Sequence, residues 1–482
     1  MTIQERRPEN EPNRQGRLPV PKDMAWPQEL DYSSGLRRAK HVGRRNKAAG
    51  LAKMDLTGDE KQILSGGKGP ALQKIMRTLV LYGQTLGAQR FVDIEGDGHF
   101  ALHSLLPGVG PRLEMLDELV AAGLKTKYPF TLDPRPPLDF GNLDLSPNQE
   151  RTFARMFQDQ GGFEDRMRQL GLRDENAFTC TPYFPEVGNN PRRGQVLAWS
   201  ESSCVIFVNS VLGAKTNRNA VILDLLSNIL GKTPLTGLLT EAGRRASCLI
   251  KLKTSDLPDP QLLGGAIGKK VVDEVPFIVG LDRFLGSGLN ERTVDYLKEM
   301  GAACAAIGAV GLYHVENITP EAVGLGAKLL ARHYETQVID EIELKRLSSS
   351  YPVMWKRKSA QPKKCLIGCP HLSLRELRWW TDQISRALCS HGRKKVAVKT
   401  ILCAAPQVIA RFQTDQNTRR QLGRIGLKLS PTCAEAYMDN PLCAREAVVT
   451  NSNKLRAFST ARLYRVEELL DLVVTGETNG GR

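Results

Sequence analysis

The sequence predicts an α/β fold, a multi-unit body of mostly parallel sheets flanked by helices. Two observations predict it. From residue 248 onward, short apolar runs alternate with segments of helical period. The helical segments are also punctuated by capping residues at their starts and glycines at their ends. No fixed-period repeat is present, so a solenoid is not indicated.

The elements follow in chain order. Thr57-Gly58-Asp59-Glu60 fits a capping box, with Thr57 at N-cap and Glu60 three residues on. Residues 69–87 place Leu72, Ile75, Met76, Leu79, Val80 and Leu86 on one helical face, and Gly87 suits a helix stop. Residues 90–94 read as a strand and 112–122 as a helix closed by Gly123. An apolar run follows Glu201-Ser202-Ser203 and leads through 209–218 to a helix over 220–230. Residues 248–253 and 275–281 are strand-like, 291–300 is helical, and 302–315 reads as a buried strand with a Gly-rich exit. Residues 319–330 read as a helix with Thr319 at N-cap and Pro320 at N1. A helix over 374–388, a strand over 395–403 and a helix over 406–412 complete the pattern. Breaks are expected near 142–146 and in the basic stretch 356–364.

A chain of 482 residues suggests two to four domains. Hydrophobic residues at 41% and charged residues at 25% exclude a disordered or collagenous chain. The net charge is +15 and the pI about 9.4, which favours anionic partners: nucleic acid, an acidic subunit or a carboxylate substrate. No membrane span is expected, because the weakly polar run 300–313 is short and ends at His314. No secretory signal is visible, and ten cysteines are too sparse for a disulfide scaffold. The expectation is a reducing, cytoplasmic setting. Residues 1–53 carry 12 Lys/Arg against 6 Asp/Glu with scattered prolines, and read as a basic, disordered extension with a weak helix near 35–53.

Ligands of parallel α/β sheets bind on loops at the carboxyl ends of strands. Four segments have that look: 179–183, 209–218, 311–315 and 368–371. In the second, Lys215, Thr216, Asn217 and Arg218 precede a helix and suit an anion site. An ordinary connection with a solvated Lys and Arg fits the same residues. The Walker A pattern is missing. Cys180, Cys369 and Cys433 each fall at an expected strand end beside Pro or Thr. Three dispersed thiolates can hold an iron–sulfur cluster with one iron open, although isolated cysteines are also common as small core residues. Cys204, Cys248, Cys304, Cys389 and Cys403 fit the core. His99, His314 and His371 sit in or beside turns, where a structural role competes with a catalytic one. Neither a zinc-hydrolase His pair nor a serine nucleophile elbow occurs.

Taken together, these segments resemble the catalytic domain of aconitase X, a branch of the aconitase superfamily, from about residue 54 to 476, leaving 477–482 as a tail. The matching stretches are Leu56-Thr57 with Glu60, Gly69-Pro70-Ala71-Leu72-Gln73-Lys74, 179–183, 198–203, 209–218, 311–314 with Thr319-Pro320-Glu321-Ala322, and 368–371. Thr131-Leu132-Asp133-Pro134-Arg135 is similar to the family's Thr-x-Asn-Pro-Arg, and Thr432-Cys433 and Thr450-Asn451-Ser452 match more loosely. The resemblance implies an aconitase-like body without the swivel domain. It also implies an iron–sulfur hydro-lyase acting on a small hydroxy carboxylic acid, such as a 3-hydroxyproline or a mevalonate-type acid. By position it implies Cys180, Cys369 and Cys433 as cluster ligands ([4Fe-4S] or [2Fe-2S]). Thr216, Asn217 and Arg218 would hold the substrate carboxylate with Lys215 nearby, and His99, Ser210 and His314 would line the catalytic pocket. An open iron would act on the leaving hydroxyl while a base removes the proton beside the carboxylate.

No swivel domain fits after residue 476, so a separate small subunit is expected. Several positions depart from the family pattern. Lys215 replaces Arg, Asn219 replaces Glu, an apolar run after Cys433 is missing, and 453–462 differs from the Gly-Lys-Tyr continuation. The alternative function is a non-catalytic, RNA-binding or scaffolding protein on the same fold. Aromatic residues make up only 6% and no RNA-binding signature with stacking aromatics appears, so nucleic acid is not the expected partner. Structural zinc on the cysteines is a third reading.

Overall fold

The computed structural model describes residues 53–102 and 109–478. The basic extension and its weak helix therefore fall almost wholly outside the described residues. Mixed α/β architecture with several parallel sheets is present, as expected from the alternation.

The N-terminal part holds four short strands: β1 (Phe91–Asp93), β2 (Gly98–Phe100), β3 (Phe130–Leu132) and β4 (Lys232–Pro234). β1 pairs with β4 antiparallel and β2 with β3 parallel. Helices Pro70–Thr85, Gln160–Leu170 and Val221–Leu230 pack their apolar faces here, burying Met76, Leu79, Phe100, Phe130, Met167 and Leu225. The Thr57 capping box forms, with Thr57 and Glu60 bonded reciprocally.

The middle part is a parallel sheet of β5 (Ala246–Lys253), β6 (Pro276–Val279), β7 (His314–Val315) and β8 (Leu330–Asp340), in the order β7-β6-β5-β8. Helices Pro260–Val271 and Glu291–Gly308 lie against each other. A Cβ on Gly264 would stand 2.1 Å from the Met300 carbonyl oxygen, so these backbones meet only because Gly264 has no side chain.

That contact corrects the strand expected over 302–315. Residues 302–308 continue the helix, and only 314–315 are strand. The Ala- and Gly-rich run is apolar on every side because the helix is enclosed, and a fully buried helix shows no 3.6-residue contrast. The helix expected over 319–330 likewise ends early, at Leu325, and Leu330 opens β8. β8 was invisible in the sequence because it is an exposed strand, with residues 332–336 all exposed. The apolar run before residue 209 is also helical, an α-helix (Ser202–Phe207) running into a π-helical turn (Val208–Leu212).

The C-terminal part is a five-stranded parallel sheet of β9 (Lys364–Leu372), β10 (Lys399–Ala404), β11 (Leu427–Ser430), β12 (Val448–Thr450) and β13 (Arg462–Leu463), in the order β11-β10-β9-β12-β13. β9 is central and buried along its whole length. Its first residue, Lys364, donates to the Leu143 carbonyl at 2.8 Å and the Tyr437 hydroxyl at 2.5 Å. The two composition breaks thus lie in contact. β9 ends in the Cys369–His371 segment, which places that segment at the carboxyl end of the central strand.

Candidate active site

Three cysteines from three distant segments line one pocket. It is bounded by Asp133, Pro134, Cys180, Glu201, Gly368, Cys369, His371, Cys433, Ala434, Glu435 and Lys454. Each thiol is placed by local structure. Cys180 follows the bridge between Leu132 and Phe178, and its Sγ accepts the His371 backbone N–H at 3.2 Å. Cys369 stands near the end of β9, its carbonyl bonded by the Ser452 hydroxyl. Cys433 is the N-cap of the short helix Ala434–Met438, and its Sγ accepts the Ala436 N–H at 3.4 Å.

The His371 ring ties these segments together. Nδ1 lies 3.0 Å from the Thr179 hydroxyl, and Nε2 lies 3.3 Å from the Thr432 carbonyl. A carbonyl only accepts, so Nε2 carries the proton and Nδ1 accepts from Thr179. Burial pushes the imidazole pKa down to about 4, so His371 is neutral. Thr179 and Thr432 are the chain neighbours of Cys180 and Cys433. One neutral ring therefore sets the spacing of all three thiols.

Gly368 is needed for the same geometry. Its φ is +109°, and an added Cβ would lie 2.2 Å from the Cys403 carbonyl oxygen on β10. Gly368→Ala is expected to destabilise the protein by about 1–3 kcal/mol and to displace Cys369. Denaturant melts beside a thiol-accessibility assay check this. An unchanged midpoint with unchanged Cys369 reactivity would contradict it.

The pocket is rich in charge. The Lys454 ammonium lies 2.7 Å from Glu201 and 3.4 Å from Glu435. Glu201 also accepts from the Ser203 hydroxyl and the Cys204 N–H, both at 2.6 Å. Burial alone would raise the Glu201 carboxyl, but Lys454 brings it below the usual range. Asp133 faces the thiols, and the Nε2 of buried His99 stands 3.7 Å behind its carboxylate. His99 Nδ1 lies 2.9 Å from the Thr131 hydroxyl.

His99, Glu201 and Cys204 also bring potential metal donors within 4.8 Å of one another. Both Glu201 oxygens are already engaged, and Cys204 donates to the Cys180 carbonyl at 3.1 Å. Of this trio only Glu201 lines the cysteine pocket.

The donor set of the pocket fits an iron–sulfur cluster. None of the three cysteines is in a disulfide. Burial, the first cause in each case, raises all three thiol pKa values, and Cys180 and Cys433 each add to the rise at Cys369. A metal centre bound by all three would hold them as thiolates.

The other expected site residues are placed elsewhere. Ser210 accepts the Tyr313 N–H at 2.9 Å, and His314 Nε2 lies 2.8 Å from the Arg244 carbonyl; both are buried, and neither lines the cysteine pocket. Of the three expected catalytic residues, His99 is linked to the pocket through Asp133, 3.7 Å away, and none of them lines it directly. The Thr216 hydroxyl bonds the Trp199 N–H, and the Asn217 amide bonds Leu238 N–H and the Thr236 carbonyl. Asn217 and Arg218 border a second cavity of about 200 Å³ with Gly237, Leu238 and Asp273. It shares no lining residue with the cysteine pocket, of about 30 Å³. Lys215 bonds backbone on both sides and does not line either cavity. The expected carboxylate grip at 215–218 does not line the cysteine pocket, and its Thr216 and Asn217 side chains bond Trp199, Thr236 and Leu238. Asp133, Glu201, Glu435 and Lys454 are the lining residues that sequence reasoning passed over.

Known proteins resemble this chain in sequence and fold. Residues 53–242 match the family model of the aconitase X first domain, and 246–349 that of its second domain. The phosphomevalonate dehydratase large subunit of Thermococcus kodakarensis is 33% identical over 333 residues, which are 67% of this chain and 76% of that protein. The chain belongs to the aconitase X family. The cis-3-hydroxy-L-proline dehydratase of Pseudomonas aeruginosa is 26% identical over 418 residues, 84% of this chain and 66% of that one. The crystal structure of Thermococcus kodakaraensis aconitase X in its holo-form superposes with a TM-score of 0.72 at 29% identity, covering 87% of this chain and 100% of that one. These relatives are dehydratases, so this aconitase X chain is a hydro-lyase. The first domain supplies Asp133, Cys180 and Glu201 to the pocket, and the region beyond residue 349 supplies Cys369, His371, Cys433, Glu435 and Lys454. Among the described residues, no helix is long and apolar enough to cross a membrane.

Proposed function

We propose that the chain is the large subunit of an iron–sulfur-dependent dehydratase of a small hydroxy carboxylic acid, working in the cytoplasm with a separate small subunit. The observation that carries this reading is the meeting of Cys180, Cys369 and Cys433 in one pocket. The small subunit is supported by the name "large subunit" borne by the Thermococcus relative. When bound, the cluster supplies a Lewis-acidic iron for the leaving hydroxyl. Cys180, Cys369 and Cys433 hold it, and neutral His371 keeps their segments in register. Asp133, in the pocket with His99 behind it, is the candidate proton acceptor beside the substrate carboxylate. The substrate is a 3-hydroxyproline or mevalonate-type acid, the classes named for the relatives.

The test is anaerobic purification with measurement of iron, sulfide and the visible spectrum, followed by dehydration assays on both acid classes with and without a candidate small subunit. Iron and sulfide in near-stoichiometric amounts, and activity that needs the second chain, are expected. A folded chain that stays colourless through anaerobic reconstitution would overturn the cluster. Activity from the isolated chain would overturn the partner.

A further inference from the structure

Among the described residues, Lys454 is the single cationic side chain lining the cysteine pocket. It is also the point where three elements meet. Lys454 lies on the helix Asn453–Phe458. Glu201 is the N-cap of the helix Ser202–Phe207, whose Cys204 bonds the Cys180 carbonyl. Glu435 lies on the helix capped by Cys433, and its carboxylate is 3.4 Å from the Cys369 sulfur. Each carboxylate that Lys454 holds is therefore one bond or one short turn from a cysteine.

The burial makes this contact strong. The side chains of Lys454 and Glu201 are 7% and 5% exposed. A lone ammonium at that depth is unfavourable, and a lone carboxylate equally so. Burial opposes the Lys454 charge, but Glu201 first, then Glu435 and the thiols, push its pKa well above the lysine range. The site thus sets one positive charge among three carboxylates, those of Asp133, Glu201 and Glu435, and three sulfurs.

We infer that Lys454 is a positioning residue for the cluster: it fixes the cysteine-bearing segments and, as their counter-charge, raises the reduction potential of the group they hold. This rests on the cluster reading above. Reduction adds negative charge to the cluster. A nearby cation favours the reduced form, and a nearby carboxylate disfavours it. Glu435, at 30% side-chain exposure, is the partner whose charge is removed with least damage to packing.

The experiment reconstitutes the full chain anaerobically with iron and sulfide. It compares the wild type with Lys454→Met, Lys454→Arg and Glu435→Gln by iron content, apoprotein melting and midpoint potential. Lys454→Met is expected to lower the potential and reduce iron retention, Lys454→Arg to stay close to the wild type, and Glu435→Gln to raise the potential. Shifts of opposite sign are not produced by loosened packing alone. Should Lys454→Met fail to fold, the rise in Glu435→Gln carries the test. Full iron content and an unchanged potential in both charge variants would overturn the role of Lys454 while leaving the cluster standing. A wild type that takes up no iron would overturn the cluster and this inference together.

Discussion

Replacing Cys369 with serine is expected to leave a folded protein that has lost most of its iron and sulfide, with dehydration slowed about 10³-fold or more. The size follows from what a Lewis-acidic metal contributes to expulsion of a poor leaving group, several kcal/mol at about 1.4 kcal/mol per tenfold. The fold survives for local reasons. Serine differs from cysteine by one smaller atom, and the Glu435 carboxylate, 3.4 Å from the Cys369 sulfur, can accept from the serine hydroxyl. β9 stays paired to β10 and β12 through residues 364–367. Iron and sulfide analysis, the visible spectrum and a thermal melt check the three parts separately. Wild-type iron content in Cys369→Ser would remove Cys369 from the ligand set.

Replacing Lys298 with methionine is expected to cost about 3–5 kcal/mol of stability, the usual effect of orphaning a buried charge partner. Lys298 is 2% exposed and lies in the middle of the helix Glu291–Gly308. Its ammonium contacts Glu376 at 2.5 Å, Glu299 at 3.0 Å and the His371 carbonyl at 3.1 Å. Burial opposes its charge, and Glu376 and Glu299 restore it, placing its pKa above the lysine range. Burial raises the Glu376 carboxyl, and the Lys298 ammonium 2.5 Å away opposes that rise. The loss would be felt at the site, because His371 organises the three cysteines. Urea unfolding measures the cost. The double variant Lys298→Met with Glu376→Gln is expected to recover part of it, since no strong ionised pair is then broken. A single variant within 1 kcal/mol of the wild type would refute the account.

Much of the site was legible. Cys180, Cys369 and Cys433 stood out because each followed a strand-like run beside Pro or Thr, a local signal. Lys454 carried no such signal. It lies in a stretch that departs from the Gly-Lys-Tyr pattern at Asn453 and Leu455, and its partner Glu201 is 253 residues away. Asp133 was read as a variant of a family asparagine, and nothing local shows that it faces the thiols. His314 and Ser210 came from the family resemblance, and in the structure they bond the Arg244 carbonyl and the Tyr313 N–H.

The sequence by itself determined the α/β class and the capped helices, because periodicity and caps act over a few positions of chain. Tertiary structure alone decided that residues 302–308 are helix, since an enclosed helix has no polar face to reveal its period. It also decided that His371 joins the cysteine segments, that Lys454 balances Glu201 and Glu435, and that Asn217 and Arg218 border a different cavity. Burial and charge pairing are set by groups that meet in space from distant parts of the chain, and that information is not written in any one segment.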